Sequence, residues 1–231
     1  MDDLRQRVEA ELTAGIPPFW LKYSIDNEYG GFRGRISNDL TIDRHAAKGL
    51  ILNARILWTF SKAFTVYRAP VYLAAARRAY EYISQYFWDN EFGGVYWMVD
   101  CEGRPLDTKK RIYGQVFTVY ALAEYAHSSG DHEAIAKAMR LVERIESAGH
   151  DDANSGYFET FERDWTAAAD QRLSEVDMDD WAACHRFPLS GARNRGGPSP
   201  RCRFADFASG RDRWNTSYFG ERHLRKRKEI L

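Results

Sequence analysis

A chain of 231 residues, 44% hydrophobic and 14% aromatic, carries enough apolar material for one sizeable core. Its 33 basic and 33 acidic side chains cancel, so no global field favours nucleic acid or an anionic membrane, and neither is expected as a partner. The balance hides a segregation: from Ala182 to Leu231 ten Arg and two Lys stand against four acidic residues. Three cysteines (Cys101, Cys184, Cys202) lack metal-ligand spacing and read as reduced thiols. With no signal-peptide pattern and no apolar run of membrane-spanning length, the expectation is a soluble, cytoplasmic protein.

Taken in chain order, the first element is a charged helix with Leu4, Val8, Leu12 and Ile16 on one face, expected to stop at Pro17-Pro18. "DNEYGGF" at Asp26–Phe32 follows, then "GGFRGRISNDLTID", whose partly alternating β-prone residues and ND turn predict a short hairpin. "AAKGLILNARILWTFSKAF" is apolar around nearly its whole circumference and predicts a helix enclosed by others. In "YLAAARRAYEYISQYF" the pattern is one-sided again, through Leu73, Ala76, Tyr80, Ile83 and Phe87. A second acidic glycine loop, "DNEFGGV" at Asp89–Val95, leads into the hairpin "GGVYWMVDCEGRPLD" and a second enclosed helix, "YGQVFTVYALAEYA". Asp131 is placed to cap a third one-sided helix with Ile135, Ala138, Leu141, Val142 and Ile145 on its apolar face. "DANSGYF" at Asp152–Phe158 then offers a third loop, with Gly156 in register with Gly30 and Gly93 at a 63-residue step.

Alternation of one-sided and enclosed helices at a fixed interval predicts an inner layer of helices wrapped by an outer one, in an array or closed toroid. The acidic glycine loops read first as turn chemistry: the carboxylate caps a turn, and the glycines supply positive φ as the chain leaves a helix for a hairpin.

Few residues point to chemistry. Lys48, Arg55 and Lys62 lie seven apart and form one polar stripe on the first enclosed helix, either solvated or ion-paired. Arg55 stands out because bulky apolar residues flank it, so its guanidinium must be paired or look into a polar cavity. Tyr113, Phe117 and Tyr120 form an aromatic row on the second enclosed helix, as core or as binding surface. Trp97 packs its hairpin or offers a flat platform to a sugar face. His45, His127, His132 and His150 fall at helix ends or connections and form no pair. No phosphate loop, nucleophile elbow or zinc-spaced cluster occurs.

The segments "IPPFW…DNEYGGFRG", "KGLILNARILWTFSKAF", "DNEFGGVYWMVDCEGRPLDTKKRIYGQVFTVYALAEY" and "GYFETFERDW" together resemble the N-acylglucosamine 2-epimerase superfamily, most of all its cellobiose 2-epimerase branch. The resemblance runs from about Leu4 to about Met178. It implies an all-α fold, here an incomplete (α/α)6 toroid of helical hairpins with short β-hairpin loops on one face. It also implies epimerisation at carbon 2 of a reducing sugar of the cellobiose, mannose or N-acylglucosamine type. A base removes the proton beside the carbonyl, an enediolate forms, and a proton returns to the opposite face, which needs two acid/base groups and a cation for the developing oxygen charge. On the same resemblance Arg55 stabilises the enediolate or substrate oxygen, Tyr113 binds substrate, and Trp97 is a further candidate at the cavity rim. The chemistry calls for no metal and no organic cofactor.

The resemblance breaks after "LSEVDMD". His185 follows Trp181 rather than an Asn at the family's four-residue spacing, so it carries no family role. Residues 1–180 are therefore expected to form the toroid part. Residues 181–231, rich in Arg, Gly, Pro and Ser, are expected to be an irregular basic tail, the mark of a frameshifted continuation. The polypeptide would then be a truncated, inactive epimerase that self-associates through uncovered inner-helix surface. Two alternatives stand beside it: a glycoside hydrolase on the same toroid, with Asp26, Asp89 and Asp152 as candidate carboxylates better explained as turn residues, and a noncatalytic helical-repeat binding module.

Overall fold

The computed structural model describes residues 2–152 and 156–171. The division at 180/181 and His185 lie outside these residues. Two helices, α3 (Leu50–Tyr67) and α5 (Ile112–Ser129), pack side by side as an inner pair. α4 (Pro70–Tyr82) covers α3, and α6 (His132–Gly149) covers α5. The core lies between these layers, on Leu57, Phe60, Ala76, Ile83, Leu122 and Leu141. Helices apolar all round became the inner ones and one-sided helices the outer ones, because only an enclosed helix can bury two faces. Each inner helix ends on a left-handed residue, Arg68 or Gly130, which turns the chain back into the outer layer. Asp131 caps α6 as expected, accepting from the backbone N–H of Glu133 at 2.8 Å and of Ala134 at 3.2 Å.

The N-terminal helix departs from expectation. It does not stop at Pro17-Pro18: α1 (Asp2–Ala10) runs through a π-helical turn at Glu11–Gly15 into α2 (Ile16–Tyr23). The two prolines occupy the first turn of α2, where a missing N–H costs little. Its apolar stripe covers no core: Leu4, Val8, Leu12 and Ile16 are all exposed. An outer helix such as α4 buries its stripe on an inner helix, and none of the described inner helices packs against the stripe of α1.

Among the described residues nine two- or three-residue strands edge the helices. The first loop forms the expected hairpin of β1 (Arg35–Ile36) with β2 (Ile42–Asp43). The second pairs β4 (Met98–Val99) with β5 (Pro105–Asp107), and β4 also pairs with β3 (Lys48–Gly49), which leads straight into α3. The same crosslink recurs one unit on, where β6 (Lys110–Arg111), leading into α5, pairs with β9 (Thr160–Phe161). β7 (His150–Asp151) pairs with β8 (Gly156–Tyr157). β4 and β9 thus each tie a later loop to the start of the preceding inner helix, and this fixes the interval. Lys48↔Val99 and Lys110↔Phe161 are equivalent pairs, so the step is 62 residues downstream of Lys48. The 63-residue step applies only upstream, because the first loop holds one more residue between its Asp and its Lys. Asp151, which pairs with Gly156, is therefore the third copy of Asp26 and Asp89, and Gly156 matches Gly31 and Gly94. Asp152, the aspartate a uniform step selects, stands in solvent against His150.

Candidate functional site

The acidic loops are turns built on buried ion pairs. Asp26 Oδ1 accepts from the N–H of Glu28 at 3.0 Å and of Tyr29 at 3.1 Å, while Gly30 and Gly31 take φ of 79° and 61°. The other oxygen, Oδ2, receives Lys48 Nζ at 2.8 Å, and Lys48 also reaches Gly30 O. Asp89 repeats the arrangement with Glu91, Phe92 and Lys110 Nζ, the last at 2.8 Å. All four charged side chains are buried. Burial alone would raise both carboxyls, but the lysine hydrogen bonds and backbone donors hold Asp26 and Asp89 below the usual carboxylate range, with Arg163 adding to Asp89. Lys48 is thus no part of a solvated stripe: it lies in β3, ahead of the helix, and faces inward. Carboxylates spent this way cannot flank a scissile bond, which removes Asp26 and Asp89 as hydrolytic candidates.

The face of the inner pair left uncovered by α4 and α6 holds the candidate residues. On α3 the exposed positions are Arg55, Thr59, Lys62 and Val66; on α5 the exposed Tyr113 heads a half-buried row of Phe117, Tyr120 and Glu124. Both rows follow i, i+4, i+7, i+11, one face of a helix. Three contacts at the same 62-residue offset join the two helices here, two from the α3 row and one from the adjacent Trp58. The Arg55 guanidinium lies 5.2 Å from the Phe117 ring centre, Trp58 stacks on Tyr120 at 5.1 Å, and Lys62 Nζ stands 3.5 Å from Glu124. Burial and the Glu124 charge push the Tyr120 hydroxyl up to about 12, so it remains a proton donor at neutral pH.

The structure gathers all three expected site residues at one end of this face. Tyr113 contacts Phe117 ring to ring at 4.8 Å, and Phe117 is the ring under Arg55, so one aromatic bridges them. Trp97 packs beside Gly114, where a Cβ would come within 3.1 Å of the indole, and Arg111 lies over that indole at 4.7 Å. Of the two expectations for Arg55, pairing is not met among the described residues: the side chain is exposed, and its cation rests on an aromatic face with its hydrogen-bonding edge free of any ion pair there. An unspent guanidinium on an open aromatic face can take an oxygen that gains charge, which is the role expected of it. Among the described residues no imidazole touches this group: His45 sits near Cys101 and Tyr29, and His150 pairs with Asp152. Among the described residues no His, Cys, Asp and Glu cluster is arranged to hold a metal.

The family model for N-acylglucosamine 2-epimerase (GlcNAc 2-epimerase) matches residues 30–184. This chain belongs to the N-acylglucosamine 2-epimerase family. A cellobiose 2-epimerase of Bacteroides fragilis is 45% identical over 181 residues, covering 78% of this chain and 46% of the relative. One from Ruminococcus albus is 46% identical over 168 residues, covering 73% of this chain and 42% of the relative. The solved cellobiose 2-epimerase of Spirochaeta thermophila superposes with a TM-score of 0.72 at 39% identity, over 77% of this chain and 44% of that one. The chain therefore spans less than half the length of the relatives it matches. Its helical layers are part of an (α/α)6 toroid, as expected, and the free face of α3 and α5 is the part of the inner surface these residues supply.

Sequence reasoning missed one member of the group. Glu159 Oε1 accepts from the N–H of Tyr113 at 3.2 Å, which sets a carboxyl beside the tyrosine. The signal was present in the repeat, because 62 residues separate Glu159 from Trp97, but it becomes visible only once the step is corrected.

Proposed function

We propose that this chain carries the sugar-gripping part of a carbohydrate 2-epimerase, acting at carbon 2 of a reducing sugar such as cellobiose through an enediolate. The observation that carries the reading is the Arg55 guanidinium, without an ion pair among the described residues, held over Phe117 beside Tyr113 on the inner face of a family member. In this reading Arg55 takes the oxygen on which enediolate charge develops, Tyr113 binds the sugar, and Trp97 borders the cavity. The reaction also needs an acid/base group on each face of carbon 2. No described imidazole stands by Arg55, so the 231-residue polypeptide is expected to bind without turning over. The same reading holds that residues 181–231 are a basic tail outside the fold, that copies associate through uncovered inner-helix surface, and that the protein is cytoplasmic. No described helix is long and apolar enough to cross a membrane.

The test is to incubate the chain with cellobiose, mannose and N-acetylglucosamine in heavy water. NMR would follow both binding and deuterium entry at carbon 2. Binding that Arg55→Ala abolishes, without deuterium entry, is the expected result. Deuterium entry would overturn the silence, and absence of binding to all three sugars would overturn the sugar-gripping role.

A further inference from the structure

The corrected repeat carries Trp97 onto Glu159, and the match holds in space. Trp97 O accepts from Leu50 N at 3.0 Å at the start of α3, and Glu159 O accepts from Ile112 N at 2.8 Å at the start of α5. The two residues stand at the same shoulder of successive inner helices. Glu159 is held from its other side too, since its own N–H donates to Gln171 Oε1 at 2.9 Å. This backbone cannot drift, so the place its side chain occupies is set.

Capping the start of α5 accounts for only part of that side chain. Oε1 takes the Tyr113 N–H, while Oε2 has no donor among the described residues. Arg111, the nearest cation in sequence, makes its ion pair with Asp107 at 3.6 Å and lies over Trp97. A residue serving only as a cap should be charged and well supplied with donors, as Asp131 is at the start of α6, where it takes two backbone N–H groups. Glu159 takes one, and burial pushes its carboxyl up to about 7 against the opposing pull of Tyr113 N–H and Arg111. Near neutral pH such a carboxyl is present in both forms, able to donate to a hydroxyl or accept from one.

We propose that Glu159 is a substrate-binding residue that takes a hydroxyl of the reducing sugar beside Tyr113, on the face that carries Arg55. This rests on the sugar-gripping reading above. Glu159→Gln isolates the role, because its amide oxygen can still accept from Tyr113 while the titration is lost.

The experiment is carboxyl NMR on the whole 231-residue chain labelled at glutamate, with the Glu159 signal assigned by its disappearance in Glu159→Gln. Its titration is followed with and without cellobiose, alongside ring and guanidinium signals of Tyr113 and Arg55. The expected result is a Glu159 signal that moves on adding cellobiose, together with an affinity about tenfold weaker in Glu159→Gln. If cellobiose moves Arg55 and Tyr113 but leaves Glu159 still, or if Glu159→Gln binds as tightly as the unchanged chain, Glu159 is a cap and this inference falls alone. If cellobiose moves none of the three, the sugar-gripping reading falls and takes this inference with it.

Discussion

The two acidic loops share one design, yet different parts of the molecule hold them. In the first, the buried Asp26–Lys48 pair is roofed by Tyr82 of the following outer helix, with Lys48 Nζ 4.7 Å from the ring centre. Arg78 of α4 clasps its backbone at Gly31 O and Asp26 O. In the second, Asp89 is bound by Lys110 and also by Arg163, 74 residues on, while Trp165 covers Gly94. Gln115 holds this loop through both the N–H and the C=O of Val95, at 2.9 and 2.8 Å. Its counterpart Asn53, one methylene shorter, bonds only Gly49 O and leaves its Oδ1 unpaired among the described residues. The first loop is thus secured from within its own unit, and the second both by its own unit and by the unit that follows. A repeat array gains cooperativity through such contacts between units.

The largest expected effect comes from breaking the pairs. Asp89→Ala should cost about 3–5 kcal/mol, since it strands buried Lys110 and releases Arg163 from the third unit. Asp26→Ala strands Lys48 and the largely buried Arg33, whose Nη1 lies 3.0 Å from Asp26 Oδ1, and should sit toward the low end of that range because the Arg78 clasp on backbone oxygens survives. Urea unfolding of both variants checks the order, and equal losses would mean that Arg163 adds no coupling between units.

Gln115→Ala should cost about 2–3 kcal/mol by freeing two buried backbone groups, against about 1 kcal/mol for Asn53→Ala. The difference in denaturation midpoints at constant slope reads this directly.

The pH dependence has two limbs. Asp26 and Asp89 titrate below their ordinary 3.8 in the fold, so the stability they add is present above that value and is lost as pH falls through their lowered pKa. Glu159 titrates near 7 in the fold against an ordinary 4.5, so its contribution is full below 4.5 and is lost as pH rises through about 7. Unfolding free energy measured against pH should therefore decline between those two values, and Glu159→Gln should flatten that decline without touching the acid limb.

The smallest effect belongs to the uncovered helix. Leu12→Ser and Ile16→Ser, at exposed positions, should change monomer stability by no more than about 0.5 kcal/mol. Self-association, assigned above to the uncovered inner-helix surface, should be unchanged in both, and a sedimentation profile that loses the oligomer would move the association surface to this helix.

What the sequence determined alone was whatever rests on neighbours in the chain. The 3.6-residue periods marked inner and outer helices, Asp131 announced its cap, and paired glycines marked positive φ at Gly30, Gly31, Gly93 and Gly94. Family motifs pointed to Arg55, Tyr113 and Trp97, which the fold brings to one end of one face. Tertiary structure decided what depends on partners 20 to 70 residues away. It sent Lys48 inward to Asp26 instead of outward along a helix, because a buried carboxylate needs a counter-charge. It set the 62-residue step, because the pairing of β3 with β4 and of β6 with β9 fixes the offset between units. It exposed the stripe of α1, because an apolar face predicts burial only where another helix is there to receive it. Glu159, silent as a letter in "GYFETF", gained its place from that register.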